Sequence, residues 1–246
     1  MSINNNRRAA GSQRQEEKHM EIRENLRKIE EQIGEACRRV GRDEREVTLV
    51  AVSKTKPVDM LKSAYEAGAR QFGENKVQEL VSKIPQMPSD AKWHMIGHLQ
   101  TNKVRQVTGK TALIHSADSL RLVREIEKES ARQELVTDIL LEVNAAREES
   151  KFGFFLEEVE EALCEMKNFP HVKVRGLMTI APFVSCAEDN RGVFRKLYQF
   201  YVDIKSKNID NVTMDILSMG MTGDFQVAIE EGATMVRVGT GIFGAR

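Results

Sequence analysis

The segment Ser53-Lys54-Thr55-Lys56-Pro57 sets two lysines directly behind an unbroken apolar run, VTLVAV at 47–52. A lysine in that place, Lys54 above all, starts its stem at the edge of a buried strand. Lysine amines attack a carbonyl only when neutral, and partial enclosure favours the neutral form. The plainer alternative is a strand-end lysine reaching solvent, with Lys56 beside it. Two glycine-rich stretches bear on the choice, LSMGMTGDF at 217–225 and VRVGTGIFGAR at 236–246. Turns of this kind expose backbone N–H groups, and helix starts favour anions. Arg237, Gly239 and Thr240 add a guanidinium, a close backbone approach and a hydroxyl. Together the three segments describe a phosphorylated carbonyl compound held on a lysine.

Other polar residues stand at comparable places. Asn75, behind QFG at 71–73, either orients the lysine or its ligand, or caps a helix, a role asparagine favours. His94, inside an apolar run, reads as a satisfied core histidine before it reads as a base. The stretch Gly97–Lys103 begins a helix and lines a rim. Lys151 lies in the loop Arg147-Glu148-Glu149-Ser150-Lys151-Phe152-Gly153, and Met178-Thr179 ends a further run. The five histidines show no metal-ligand spacing, and a GxxxxGK[ST] phosphate loop is absent. No metal is expected.

The elements that must position these residues alternate. Apolar runs fall at 47–52, 71–73, 92–97, 112–115, 138–143, 172–177, 213–218 and 234–239. Helical patterns lie between them at 57–68, 75–84, 100–107, 119–133, 155–168, 187–207 and 223–231. Continuous apolar strands alternating with helices imply a parallel sheet. Eight of them close into a single (β/α)8 TIM-type barrel; an open doubly wound sheet is the competing arrangement. In a barrel the strand ends above form the C-terminal mouth, where active sites lie, with phosphate sites after the last two strands. An extra N-terminal helix precedes the first strand. Ile22, Leu26, Ile29, Ile33 and Cys37 share its apolar face, and Gly41 caps its end. Residues 1–18 are polar and aperiodic and read as a flexible extension, leaving 19–246 as one barrel domain.

Bulk properties exclude several classes. Lysines plus arginines number 37 and aspartates plus glutamates 37, so no net field draws nucleic acid or an anionic membrane. Cys37, Cys164 and Cys186 are an odd, widely spaced set, which points to a reducing compartment. With no apolar leader segment and no membrane-length run, the cytoplasm is the expected location.

The segments AVSKTKP (51–57), FGENKVQEL (72–80), WHMIGHLQTNK (93–103), EESKFGF (148–154), LSMGMTGDF and VRVGTGIFGAR occur in an order that resembles the pyridoxal phosphate homeostasis proteins. The resemblance runs from about Met20 to the end. It implies a barrel related to the N-terminal domain of alanine racemase, with pyridoxal 5′-phosphate (PLP) as a Schiff base on Lys54. It further implies phosphate-binding strand ends at Ser218, Met219, Gly220, Arg237, Gly239 and Thr240, and a cofactor-neighbouring Asn75. The turn after the fifth strand departs from the family's serine- and glycine-containing form, and Gly241 stands where alanine is common. The function implied is a non-catalytic carrier and regulator of intracellular vitamin B6, acting on PLP and PLP-dependent apoenzymes. A one-domain PLP racemase-like enzyme and a Schiff-base aldolase are the alternatives. Without the β-domain that completes racemases, a monomer is expected.

Overall fold

Each apolar run becomes a strand in the computed structural model, which describes residues 2–148 and 151–245, with side chains from residue 16 on. Met1, Glu149, Ser150 and Arg246 lie outside the described residues. The strands are β1 (Thr48–Val52), β2 (Gln71–Glu74), β3 (Lys92–Met95), β4 (Leu113–Ala117), β5 (Thr137–Glu142), β6 (Val172–Met178), β7 (Val212–Met221) and β8 (Met235–Val238). They pair in sequence order, all parallel, and β8 closes on β1 through Thr48↔Met235 and Ala51↔Val238. The open sheet is therefore ruled out. Even the four-residue β2 holds its place, because Gln71 to Glu74 each find a partner on β3.

The runs are apolar because both faces of the sheet are covered. Val50, Leu113, Leu140, Met178 and Met235 fill the barrel interior, while a larger cluster packs the outer face against helices. The helices that follow the strands are α2 (Val58–Glu66), α3 (Val77–Lys83), α4 (Val104–Val107), α5 (Leu120–Arg132), α6 (Leu156–Met166), α7 (Arg191–Ser206), α8 (Phe225–Glu230) and α9 (Thr240–Phe243). The helix behind β8 is a single turn, too short to cover its strand. The first helix, α1 (Ser2–Arg39), takes that place, lying across α2, α8 and α9. Its expected face is the buried one: Ile22, Leu26, Ile29, Ile33 and Cys37. Each large aliphatic among them contributes roughly 1.5–3 kcal/mol on burial, so Leu26→Asp should loosen the helix from the barrel. Gly41, at φ +69°, ends it as expected. The helix does not begin near Met20, however. It starts at Ser2, so residues 2–18 continue the helix rather than opening as an irregular extension.

One strand runs further than its pattern suggested. β7 continues past Ser218 to Met221, with a register shift against β8 between those two residues. Gly220 permits this. Its φ is +89°, and a Cβ there would meet Ala228 Cβ at 2.6 Å and Phe225 Cα at 2.8 Å. The glycine presses the strand end onto α8. No helix among the described residues is long and apolar enough to cross a membrane.

Candidate functional site

Strand alternation decides what faces the mouth. Val50 belongs to the interior cluster, so Val52 shares its inward register, and the turn that follows sets Lys54 at the C-terminal end of β1, on the mouth. Lys54 is half-buried, and among the described residues its amine makes no hydrogen bond or ion pair. The residues on either side of it are held rigidly. Ser53 Oγ donates to Glu74 Oε1 at 2.6 Å, and the Ser53 carbonyl accepts from Lys83 Nζ at 2.9 Å. Lys83 Nζ also reaches Glu74 Oε1 at 2.7 Å and Glu79 Oε2 at 3.1 Å. Thr55 sits at φ +63°, a costly conformation for a β-branched residue, and its N–H donates to Glu79 Oε2 at 2.8 Å. One buried cluster thus clamps the chain before and after Lys54. Burial pushes the Glu74 carboxyl up, against the opposing pull of Lys83 and Ser53. Burial acts the same way on Glu79, but the Thr55 N–H and the Lys83 ammonium outweigh it and hold that carboxyl low.

The neighbouring amines are differently placed. Lys56 Nζ donates to three carbonyls, Phe243 O, Gly244 O and Ala245 O, at 2.9–3.1 Å, and so caps the end of α9. Lys151 is paired with Glu148 and faces the carbonyls of Ile180 and Ala181. Lys103, beyond β3, is half-buried and makes no such contact among the described residues.

Arg237 is 4 % exposed and points into the barrel, away from the turn that follows it. Its Nη1 donates to Ser218 Oγ at 2.6 Å and its Nη2 to the Thr179 carbonyl at 2.8 Å. Among the described residues no carboxylate pairs with it, and a guanidinium has five N–H donors to place. Burial lowers it to about 10, while Glu142 and Asp224 pull the other way.

Behind Ser218 a hydrogen-bonded row crosses the interior. Ser218 Oγ lies 3.1 Å from His115 Nδ1, His115 Nε2 lies 2.9 Å from His94 Nδ1, and His94 Nε2 lies 2.8 Å from Gln71 Oε1. With both rings neutral, the ends fix every proton in it: Arg237 can only donate and Gln71 Oε1 can only accept, so each member donates toward Gln71 and both imidazoles are Nε2–H tautomers. Burial agrees: it lowers His94 to about 4, with Lys92 adding to the effect, and it drives His115 well below its usual range, helped by His94 and Arg237. Nitrogen-detected NMR of the imidazoles should show both as Nε2–H and uncharged down to about pH 5; an Nδ1–H signal from either would reverse the row.

On the β7 and β8 side, the N–H groups of Gly239 and Gly241 both converge on Thr222 Oγ1, at 3.3 and 3.4 Å. Asp224 pins that turn, accepting from Met221 N–H at 2.7 Å and Asn190 Nδ2 at 2.8 Å. Thr240 is exposed beside them. Met219 turns outward into the core, leaving only its backbone to the site, and Gly220 acts through packing. Asn75 does not cap a helix: α3 starts from Lys76, and at the end of β2 the Asn75 side chain makes no hydrogen bond among the described residues. Gly97 crosses over it, where a Cβ would meet the Asn75 carbonyl at 2.5 Å.

The far side of the mouth carries groups that the sequence reading passed over. Glu142 ends β5 on the inward register of Leu140, and burial, then Asp118, raise it to about 7 against the pull of Arg237. Asp118 accepts from His98 Nδ1 at 2.8 Å, and His98 stacks on Phe152 with ring centroids 3.9 Å apart. The signal for Glu142 was present, since it is the acid at the C-terminal end of the run DILLEV, where the mouth lies.

The arrangement has known counterparts. A family profile described as alanine racemase, N-terminal domain, matches residues 21–246. The pyridoxal phosphate homeostasis protein of Aquifex aeolicus is 44% identical, over 91% of this chain and 97% of its own. That of Escherichia coli K12 is 37% identical, over 92% and 97%. Among solved structures, PipY of Synechococcus elongatus with PLP bound superposes at TM-score 0.78 with 31% identity, covering 91% of this chain and all of that one. The alanine racemase of Corynebacterium glutamicum, 14% identical at TM-score 0.70, shares the fold over 61% of its length.

Proposed function

This chain belongs to the alanine racemase N-terminal domain family, among the pyridoxal phosphate homeostasis proteins, and from that premise we propose that it binds PLP and serves intracellular vitamin B6 homeostasis. The observation that carries this reading is the clamped turn that presents Lys54 at the mouth, its amine without another partner among the described residues. Lys54 would hold PLP through its amine, as a Schiff base with the cofactor aldehyde. The Gly239 and Gly241 N–H groups, with the Thr222 and Thr240 hydroxyls, take the phosphate. Arg237, drawn toward β6 by Thr179, presents its remaining donors to the ring edge rather than to the phosphate, the role its place in the sequence first suggested. Asn75 lies beside the ring. Residues 19–246 form the binding unit, a monomer acting in the cytoplasm, with PLP-dependent apoenzymes as recipients.

The carrier role is non-catalytic. Racemization needs proton-transfer groups on both faces of the substrate carbon, each worth about 10²–10⁴-fold. The chain's three tyrosines serve elsewhere: Tyr65 donates to Asp90, Tyr201 to the Met214 carbonyl, and Tyr198 stacks on Tyr201. A second reading, a one-domain racemase-like enzyme, draws its support from the Glu142 carboxyl alone. Chiral chromatography with keto-acid and amine assays on PLP-loaded protein separates the two. We expect no steady turnover above free PLP. Repeated turnovers that require Lys54 would establish the enzyme, and a colourless protein that retains no PLP would return the aldolase alternative.

A further inference from the structure

In the closed ring β5 stands opposite β1, so Glu142 enters the mouth from the side facing Lys54. Glu142 is 8 % exposed, and among the described residues its carboxylate has no hydrogen bond or ion pair. The pairing Ala117↔Leu141 sets the next residues, Asp118 and Glu142, side by side. Asp118 is likewise enclosed, and His98 Nδ1 at 2.8 Å and Ser119 Oγ at 3.1 Å hold it in place. The β7–β8 side offers donors for an anion; this side offers two adjacent acids. Two carboxylates enclosed together repel, and a cation relieves both.

We propose that Glu142 and Asp118 form a receiving subsite for a primary ammonium group, which displaces Lys54 from the cofactor after giving a proton to Glu142. The inference rests on the PLP reading above and deepens it. Asp118 and Glu142 bind the incoming ammonium. Glu142 takes one proton, and the neutral amine forms a new carbon–nitrogen bond to the cofactor carbon while the bond to Lys54 Nζ breaks. Lys54 Nζ takes up the proton, so charge and atoms balance. A base that titrates near 7 suits this exchange. The other charged groups around Glu142 leave it free for the task. Arg237 from β8 is bound to Ser218 and Thr179, Lys151 is paired with Glu148, His115 below is neutral, and His98 is turned to Asp118. The ammonium belongs either to a free amino acid or to a lysine side chain.

Two measurements on the full chain test this. In the first, the PLP-loaded protein is reduced with borohydride, which locks the bond so that binding is read without exchange. Calorimetric titration with glycine and with N-acetyl-lysine amide should then give saturable binding, weakened at least tenfold in Glu142→Gln and in Asp118→Asn. In the second, loss of the bound chromophore from unreduced protein is followed against concentration of either amine. The ratio of amine-driven to spontaneous release should fall at least tenfold in Glu142→Gln, with partial recovery in Glu142→Asp. Equal response to both amines assigns the subsite to the ammonium itself, and response to the lysine compound alone assigns it to a side chain; either supports the proposal. Release that never saturates, or Glu142→Gln matching the parent in both measurements, overturns it. Mapping the reduced label in the same samples keeps the failures apart, since a label away from Lys54 defeats the PLP reading instead.

Discussion

Replacing Lys54 with alanine will leave a folded barrel that carries no borohydride-reducible pyridoxyl group. The fold survives because the Lys54 side chain contributes no contact to the clamp around it: Ser53 and Thr55 are held by Glu74, Glu79 and Lys83. The label disappears because three nearby amines are committed and Lys103 follows β3 rather than β1. Lys56 is tied to three carbonyls, Lys83 lies between two carboxylates, and Lys151 is paired with Glu148. Peptide mapping of the reduced parent protein should place the label on the peptide containing Lys54. A label chiefly on Lys56, Lys103 or Lys151 would show that the place at the end of β1 does not select the reacting amine.

Removal of Lys83 should cost about 3–5 kcal/mol of stability, the range for breaking a buried ion pair from one side. Lys83 is 6 % exposed and, among the described residues, is the only cation touching the fully buried Glu74, which it meets at Oε1 while Oε2 has no hydrogen-bond partner. Without the ammonium, the fully buried Glu74 faces the half-buried Glu79 with no charge between them, and both carboxyls rise in pKa. A carboxyl raised in the folded state binds its proton more tightly there than in the unfolded chain. The defect is therefore largest above neutral pH and shrinks as the pH falls toward the ordinary carboxylate range. Denaturant titration of Lys83→Met at pH 8 and pH 5.5 checks the sign. Pairing it with Glu74→Gln should recover part of the loss. A Lys83→Met protein within about 1 kcal/mol of the parent at pH 8 would mean that the cluster is solvated and does not clamp Lys54.

The barrel was legible because its signals are local. Apolar runs of three to six residues, bounded by turn residues, are the imprint of strands covered on both faces, and the face of α1 from Ile22 to Cys37 shows its own period. Lys54 was legible for the same reason, as a charge at the end of such a run. Arg237 was half legible. Its distance from Met235 places it inward, but that its guanidinium turns to Ser218 and Thr179 depends on strands far off in sequence. The clamp left one trace, the i,i+4 pair of Glu79 and Lys83, which reads as an ordinary exposed helix pair until β2 brings Glu74 against it. His94 does prove to be a satisfied core histidine, yet its partner His115 gave no hint, because the contact joins two strands across the interior. The extent of β7 was misread since Gly220 looks like a turn residue, whereas it serves close packing.

The placement of α1 has a consequence for synthesis. The helix made first fills the gap left behind the strand made last, and Asn25 is bonded to the carbonyl of Ile242, 217 residues away. Lys54 emerges from the ribosome early, while Ser218, Arg237 and the Gly239 turn arrive only near the end. Contacts of such long separation form slowly, so the nascent chain carries an open-ended sheet with its reactive amine in bulk solvent. The binding pocket and the ring are completed in the same event, when β8 docks between β1 and β7. Cofactor present at that moment stabilises the closed ring over every earlier intermediate by mass action. Folding yield in a cell-free translation should therefore track PLP supplied during the final stretch of elongation, and be indifferent to PLP supplied and removed before β7 is made.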